Sequence, residues 1–318
     1  MKQGRVALAH RITQIQSRLE LGVVEGELAE SSARMQELNK ALSGLEHSEN
    51  AELFRYFPVA SIATLESHFR QVVALIINEG GDYLSRGVEL LGDKVKAIEL
   101  IPMMQSNRIS VGEIVAYSLP FSTLAHVEGV LDKLLGESFK SLALSVEDPF
   151  AKRLKLNWGG PIAKDVSLVW KGASQAFEDR HIVAHESASR FVITYERAFS
   201  SVSAISKLIE IMDAMLWSTV WNDTPLTQRE INDAACKRMQ QSRLKLAQCL
   251  RLKRKSFDDP SRVALFRRLH LDWKFRVKEW VEFSGSGCVM GAFKDLVWAD
   301  ELNAAIESRI SEVDRLMG

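Results

Sequence analysis

Along this chain apolar residues recur three and four positions apart, and no segment alternates with a period of two. That spacing gathers side chains onto one face of an α-helix, so the pattern predicts an all-α fold. In residues 1–47, Ile12, Ile15 and Leu19 form one stripe and Met35, Leu38, Leu42 and Leu45 another. Gly22 and Gly26 stand between them, which predicts a helical hairpin turning there. Residues 60–77 form a strongly apolar stretch carrying Glu66, His68 and Arg70, with Gly80-Gly81 ending the helix. Glu66 and Arg70 are spaced to pair across one turn. His68 reads as a core or capping histidine. Further helices are expected at roughly residues 83–91 and 94–104. Ser110 and Glu113 have the spacing of a capping box. Leu124, Val127, Val130, Leu131 and Leu134 form the next stripe, with Gly136 just past its end, and residues 139–144 make a short helix. Gly159-Gly160-Pro161 is a break, after which helices are predicted over roughly residues 163–177 and 192–221.

Asn222-Asp223-Thr224-Pro225 combines turn formers with proline and marks a domain boundary. Beyond it, Asp258-Asp259-Pro260 separates two helices, with residues 271–283 continuing the second. Ser284-Gly285-Ser286-Gly287 reads as a loop, and residues 293–316 as a last helix. Three parts are expected: a hairpin over 1–49, a helical domain over 50–224 and a basic helical domain over 225–318.

The 318 residues are 46% hydrophobic and 26% charged, enough for a sizeable core. With 41 Lys and Arg against 41 Asp and Glu, no global field draws the chain to nucleic acid, so any such attraction is local. Residues 237–268 supply a local one, with eleven Lys and Arg against two acids. Arg251, Lys253, Arg254 and Lys255 within it read either as an electrostatic footprint for RNA phosphates or as solvated helix faces. Trp273, Phe275 and Trp280 nearby either stack on bases or belong to a core. Cys236, Cys249 and Cys288 are odd in number and lack CxxC spacing, which suggests free thiols in a reducing compartment. Neither a signal peptide nor a membrane span is evident, so the expected location is cytoplasmic.

Candidate chemistry concentrates in Arg180-His181-Ile182-Val183-Ala184-His185. At about 100° per residue, His181 and His185 lie roughly 40° apart on one helix face, while Arg180 sits about 140° from His185, at its edge. A guanidinium stabilises phosphate and an imidazole moves protons near neutral pH, the two requirements of a ribonuclease. The plainer reading is a helix face with interfacial histidines. Arg5 and His10 repeat the spacing with nothing site-like around them. The i, i+4 histidines also match zinc-binding helices. Here, however, the acid follows the second His instead of the first, and no third ligand is obvious.

The Arg-His-Ile-Val-Ala-His-Glu order resembles the signature of HEPN-domain proteins, with Arg180, His181 and His185 in its three places. Upstream, the Leu-Glu-Ser-His-Phe stretch at residues 65–69, the segment from Ile109 and the Leu-Gly-Glu-Ser-Phe stretch at 135–139 resemble the branch found beside bacterial phage-defence and RNA-repair genes. The resemblance spans roughly residues 50–222. It implies metal-independent cleavage of RNA by a homodimer, without a cofactor, leaving a 2′,3′-cyclic phosphate and a 5′-hydroxyl. His185 would act as base or acid and Arg180 would neutralise phosphoryl charge. His181 would orient the phosphate or carry the second proton, and Glu66 would support an imidazole or pair with Arg70. A defence or toxin role and an antitoxin or defence-system partner are also implied, as is a non-catalytic HEPN-like dimerisation or nucleotide- or RNA-binding module as the alternative. Residues 227–317 further resemble the lysozyme-inhibitor-like helical module, in Leu271-Asp272-Trp273-Lys274-Phe275-Arg276, Gly285-Ser286-Gly287 and the stretch from Glu307 to Glu312. Such modules carry disulfides; the cysteine spacing here departs from that pattern.

Overall fold

The computed structural model describes residues 28–92, 109–157, 159–185, 190–286 and 291–315. Every regular element among them is an α-helix, and the only other pairing is an isolated bridge between Glu147 and Pro161. The chain divides into two compact units at Asn222 and Asp223. Among the described residues no helix is long and apolar enough to cross a membrane.

The first unit contains α1 (Leu28–Ser43), α2 (Ala51–Phe54), α3 (Tyr56–Asn78), α4 (Gly81–Leu91), α5 (Val111–Ser118), α6 (Leu124–Leu135), α7 (Phe139–Ala143), α8 (Pro149–Leu154), α9 (Val166–His185) and α10 (Tyr195–Ser218). The first helix of the expected hairpin and the helix expected at residues 94–104 fall outside the described residues. Helix α3 is the central strut. Phe57, Ile62, Leu65, Phe69, Val72, Val73, Ile76 and Ile77 bury it nearly all round, as its almost continuous apolar sequence requires. Helices α1, α5, α9 and α10 pack against it. His68 is fully buried on α3, with Nε2 3.3 Å from Oδ1 of Asp213 on α10, so it is a core histidine.

Helix ends follow local chemistry. Ser110 and Glu113 form the reciprocal capping box at the start of α5, and Gly136 closes α6 in the left-handed conformation. Helix α9 starts later than the apolar pattern alone suggests, because Asp165 accepts a hydrogen bond from the Leu168 amide at 3.1 Å and caps it. That contact also holds the Asp165 carboxyl below the usual carboxylate range. The helix then runs unbroken to His185. It approaches α10 closely at Gly172, where a Cβ would stand 2.6 Å from the Cβ of Ala204.

The second unit comprises α11 (Gln228–Lys255), α12 (Pro260–Ser286) and α13 (Gly291–Arg315). Thr227 and Glu230 form the capping box that starts α11, and Met239, Leu246 and Ile306 centre its small core. Cys236 and Cys249 are free thiols; Cys288 lies outside the described residues. The loop expected from Ser284 is instead the last turn of α12 through Ser286. Gly285 is buried there against Lys294 of α13, and the Ser286 hydroxyl donates to the Phe283 carbonyl at 2.6 Å. Tertiary packing and a side-chain cap thus hold helical a stretch whose composition favours a turn.

Candidate active site

Arg180, His181 and His185 all lie in the last turns of α9. The two imidazoles are exposed, with ring centroids 5.1 Å apart and planes inclined at 55°. Arg180 is turned away from the outer face toward α3. Its side chain is 30% exposed, and Nη2 stands 3.9 Å from Oε1 of Glu66. That separation allows electrostatic attraction but exceeds a hydrogen bond. Glu66 therefore faces Arg180 from the neighbouring helix, and Arg70 lies over the rings of Tyr117 and Phe121 at 5.2 and 5.7 Å. The edge position of Arg180 on the helical wheel has become a contact with a neighbouring helix. Val183, half-buried, packs that same end of α9 onto the core.

Sequence reasoning missed the strongest polar contact beside the site. Asp179 has a fully buried side chain and accepts hydrogen bonds from Arg197 Nε at 2.9 Å and Nη2 at 2.5 Å, the bidentate arrangement. Gln175 Nε2 donates to the same carboxylate at 3.1 Å. The hydrogen bonding to Asp179 raises the pKa of Arg197 above the ordinary guanidinium value. The Arg197 guanidinium also lies 5.1 Å from the centre of the Phe191 ring, and the Phe191 carbonyl accepts from Arg55 Nη2 at 2.6 Å. The end of α9 and the start of α10 are thereby clamped together. The available signal was position: Asp179 falls on the stripe of Gly172, Ala176 and Val183 that faces the core. A carboxylate there requires a cation. Because Arg197 supplies it, the buried acid adjacent in sequence does not consume the charge of Arg180.

The basic residues singled out on α11 separate. Arg251, Arg254 and Lys255 are exposed, whereas Lys253 is 5% exposed with its ammonium 5.5 Å from the centre of the Phe257 ring. Lys253 is thus withdrawn from any phosphate-facing set. Phe275 and Trp280 are exposed and Trp273 is half-buried in the core of the unit. Among the described residues, no group of three or more His, Cys, Asp and Glu side chains is placed to hold a metal ion. Chemically, the end of α9 offers two adjacent solvent-facing imidazoles able to transfer protons, while the Arg180 guanidinium faces Glu66 of α3 and not the imidazole pair. No family model, curated protein or solved structure matches the chain.

Proposed function

We propose that the chain is a metal-independent endoribonuclease of the HEPN type, cytoplasmic and homodimeric, with its site at the end of α9. The observation that supports this most is the pair of exposed imidazoles 5.1 Å apart in the last turns of α9, the turns that also carry Arg180. In the proposed reaction the ribose 2′-oxygen attacks phosphorus while its proton passes to one imidazole. The bond from phosphorus to the 5′-oxygen breaks, and that oxygen takes a proton from a second imidazole. Arg180 stabilises the charge that builds on the non-bridging oxygens. The products are a 2′,3′-cyclic phosphate and a 5′-hydroxyl.

In-line displacement places the entering and leaving oxygens on opposite sides of phosphorus. His181 and His185 stand side by side on one helix face, which suits one side of such a centre. A two-fold related copy of α9 would supply the other. In this reading Glu66 keeps Arg180 oriented and the Asp179–Arg197 clamp fixes the direction of the terminal turns. The biological setting proposed is bacterial defence or toxicity, with an antitoxin or defence protein as partner.

The test is RNA cleavage in EDTA by the wild-type chain, Arg180→Ala and His185→Ala. Cleavage by the wild type that falls about 10²-fold or more in both variants is expected. Equal cleavage by all three would remove the assignment. One observation favours a non-catalytic module instead: Arg180 leans on Glu66 as a structural residue would. That version predicts dimerisation or RNA binding weakened by Arg180→Ala, with no cleavage by the wild type.

A further inference from the structure

The second unit contains a half-enclosed cavity of about 630 Å3 between α11, α12 and α13. Helices α11 and α12 each pack on α13 but make little contact with one another. Phe257 closes the turn that joins them, set against Phe266 with ring centroids 5.4 Å apart. Beyond that turn Leu246 and Leu250 of α11, Val277 and Val281 of α12, and Leu302 and Ile306 of α13 wall an apolar interior. Arg243, Lys274 and Lys278 also line it and are exposed, and among the described residues no carboxylate lines it, although Nζ of Lys278 stands 3.8 Å from Oε1 of Glu282 outside the lining. Ligand sites are mostly apolar chambers with a small number of polar groups that fix the ligand's orientation.

The walls narrow the choice of body. Trp273 already carries His270 stacked at 5.3 Å and Arg309 at 5.8 Å, and Trp298 carries Arg243 at 6.0 Å. With indole faces so engaged, the chamber suits a flexible aliphatic chain better than a planar base. Among the described residues, buried Nδ1 of His270 in the wall has no hydrogen-bond partner, a polar atom available to the ligand. We propose that this cavity binds a free long-chain carboxylate, its aliphatic chain in the chamber and its carboxylate at Lys274 and Lys278.

The experiment titrates the full chain with dodecanoate below its micelle concentration, read by calorimetry. Dodecyltrimethylammonium, adenosine monophosphate and anionic phospholipid vesicles serve as comparison arms. Exposed Ala247 lines the cavity, so Ala247→Trp places an indole that competes for the chamber. Saturable one-to-one binding of dodecanoate is expected. It should weaken at least about tenfold in Ala247→Trp and in Lys274→Glu/Lys278→Glu, and exceed that of the cationic amphiphile by at least about tenfold. Absence of dodecanoate binding, equal binding by Ala247→Trp, or equal binding of the cation would overturn the proposal. So would binding of the nucleotide or vesicles in place of dodecanoate. Circular dichroism of both variants confirms that any loss is not unfolding.

Discussion

Replacing Arg197 by methionine removes the guanidinium while keeping most of its aliphatic volume. Among the described residues Asp179 would keep only the Gln175 amide as a hydrogen-bond donor, in a position where its side chain has no solvent exposure. Removing one partner of a buried ion pair costs about 3–5 kcal/mol. Arg197 itself is 36% exposed, so solvent already screens part of the attraction and the lower end applies. For a unit of this size about 3 kcal/mol corresponds to a fall of roughly 6–12 °C in Tm. The assay is thermal unfolding of the full chain, followed by circular dichroism, with assignment of the first unit's transition. A second variant, Asp179→Asn/Arg197→Met, removes the stranded charge as well. It should melt higher than Arg197→Met, by the equivalent of at least about 1 kcal/mol, because the coupling between contacting partners is then absent from both sides. A single variant within about 1–2 °C of wild type, or a double variant less stable than the single, would refute the clamp.

Other outcomes follow from packing and titration. Gly172→Ala forces a Cβ to within 2.6 Å of Ala204 and should cost about 1–3 kcal/mol in urea unfolding, with Ala204→Gly in the same chain restoring most of it. Burial first, then the positive charges of Lys274 on α12 and Arg309 on α13, hold His270 below the usual imidazole range. A depressed histidine contributes fully above its unfolded value and that stability is lost as pH falls toward the folded one, so the second unit should weaken progressively as pH falls below about 6.5. His270→Phe, which keeps a ring against Trp273 and leaves Arg243, Lys274 and Arg309 in place, should flatten that slope in Tm; an unchanged slope would contradict the assignment.

Much of the fold was legible because its signals are local. The caps at Ser110 and Gly136, the break at Gly80 and the division at Pro260 act within a few residues of themselves. The stripe of Leu124, Val127, Val130, Leu131 and Leu134 is buried as its spacing dictates. What escaped depends on how helices meet. Glu66 lies 3.9 Å from Arg180 because α3 and α9 cross there, a contact that spacing along one helix does not encode. Asp179 finds Arg197 eighteen residues away, on another helix. Lys253 sits within a run of basic residues, but helical rotation places it inward toward Phe257. The α12 cavity likewise depends on the angle at which three amphipathic helices meet, which no single stripe encodes.

The most direct test of the ribonuclease account is the chemistry of the cut ends. End-labelled RNA is incubated with the full chain in EDTA, and both termini at each cut are identified by mass spectrometry. The account predicts 2′,3′-cyclic phosphate and 5′-hydroxyl termini that disappear with His185→Ala. Termini bearing 5′-phosphate, or cyclic termini that persist undiminished in His185→Ala, would contradict it.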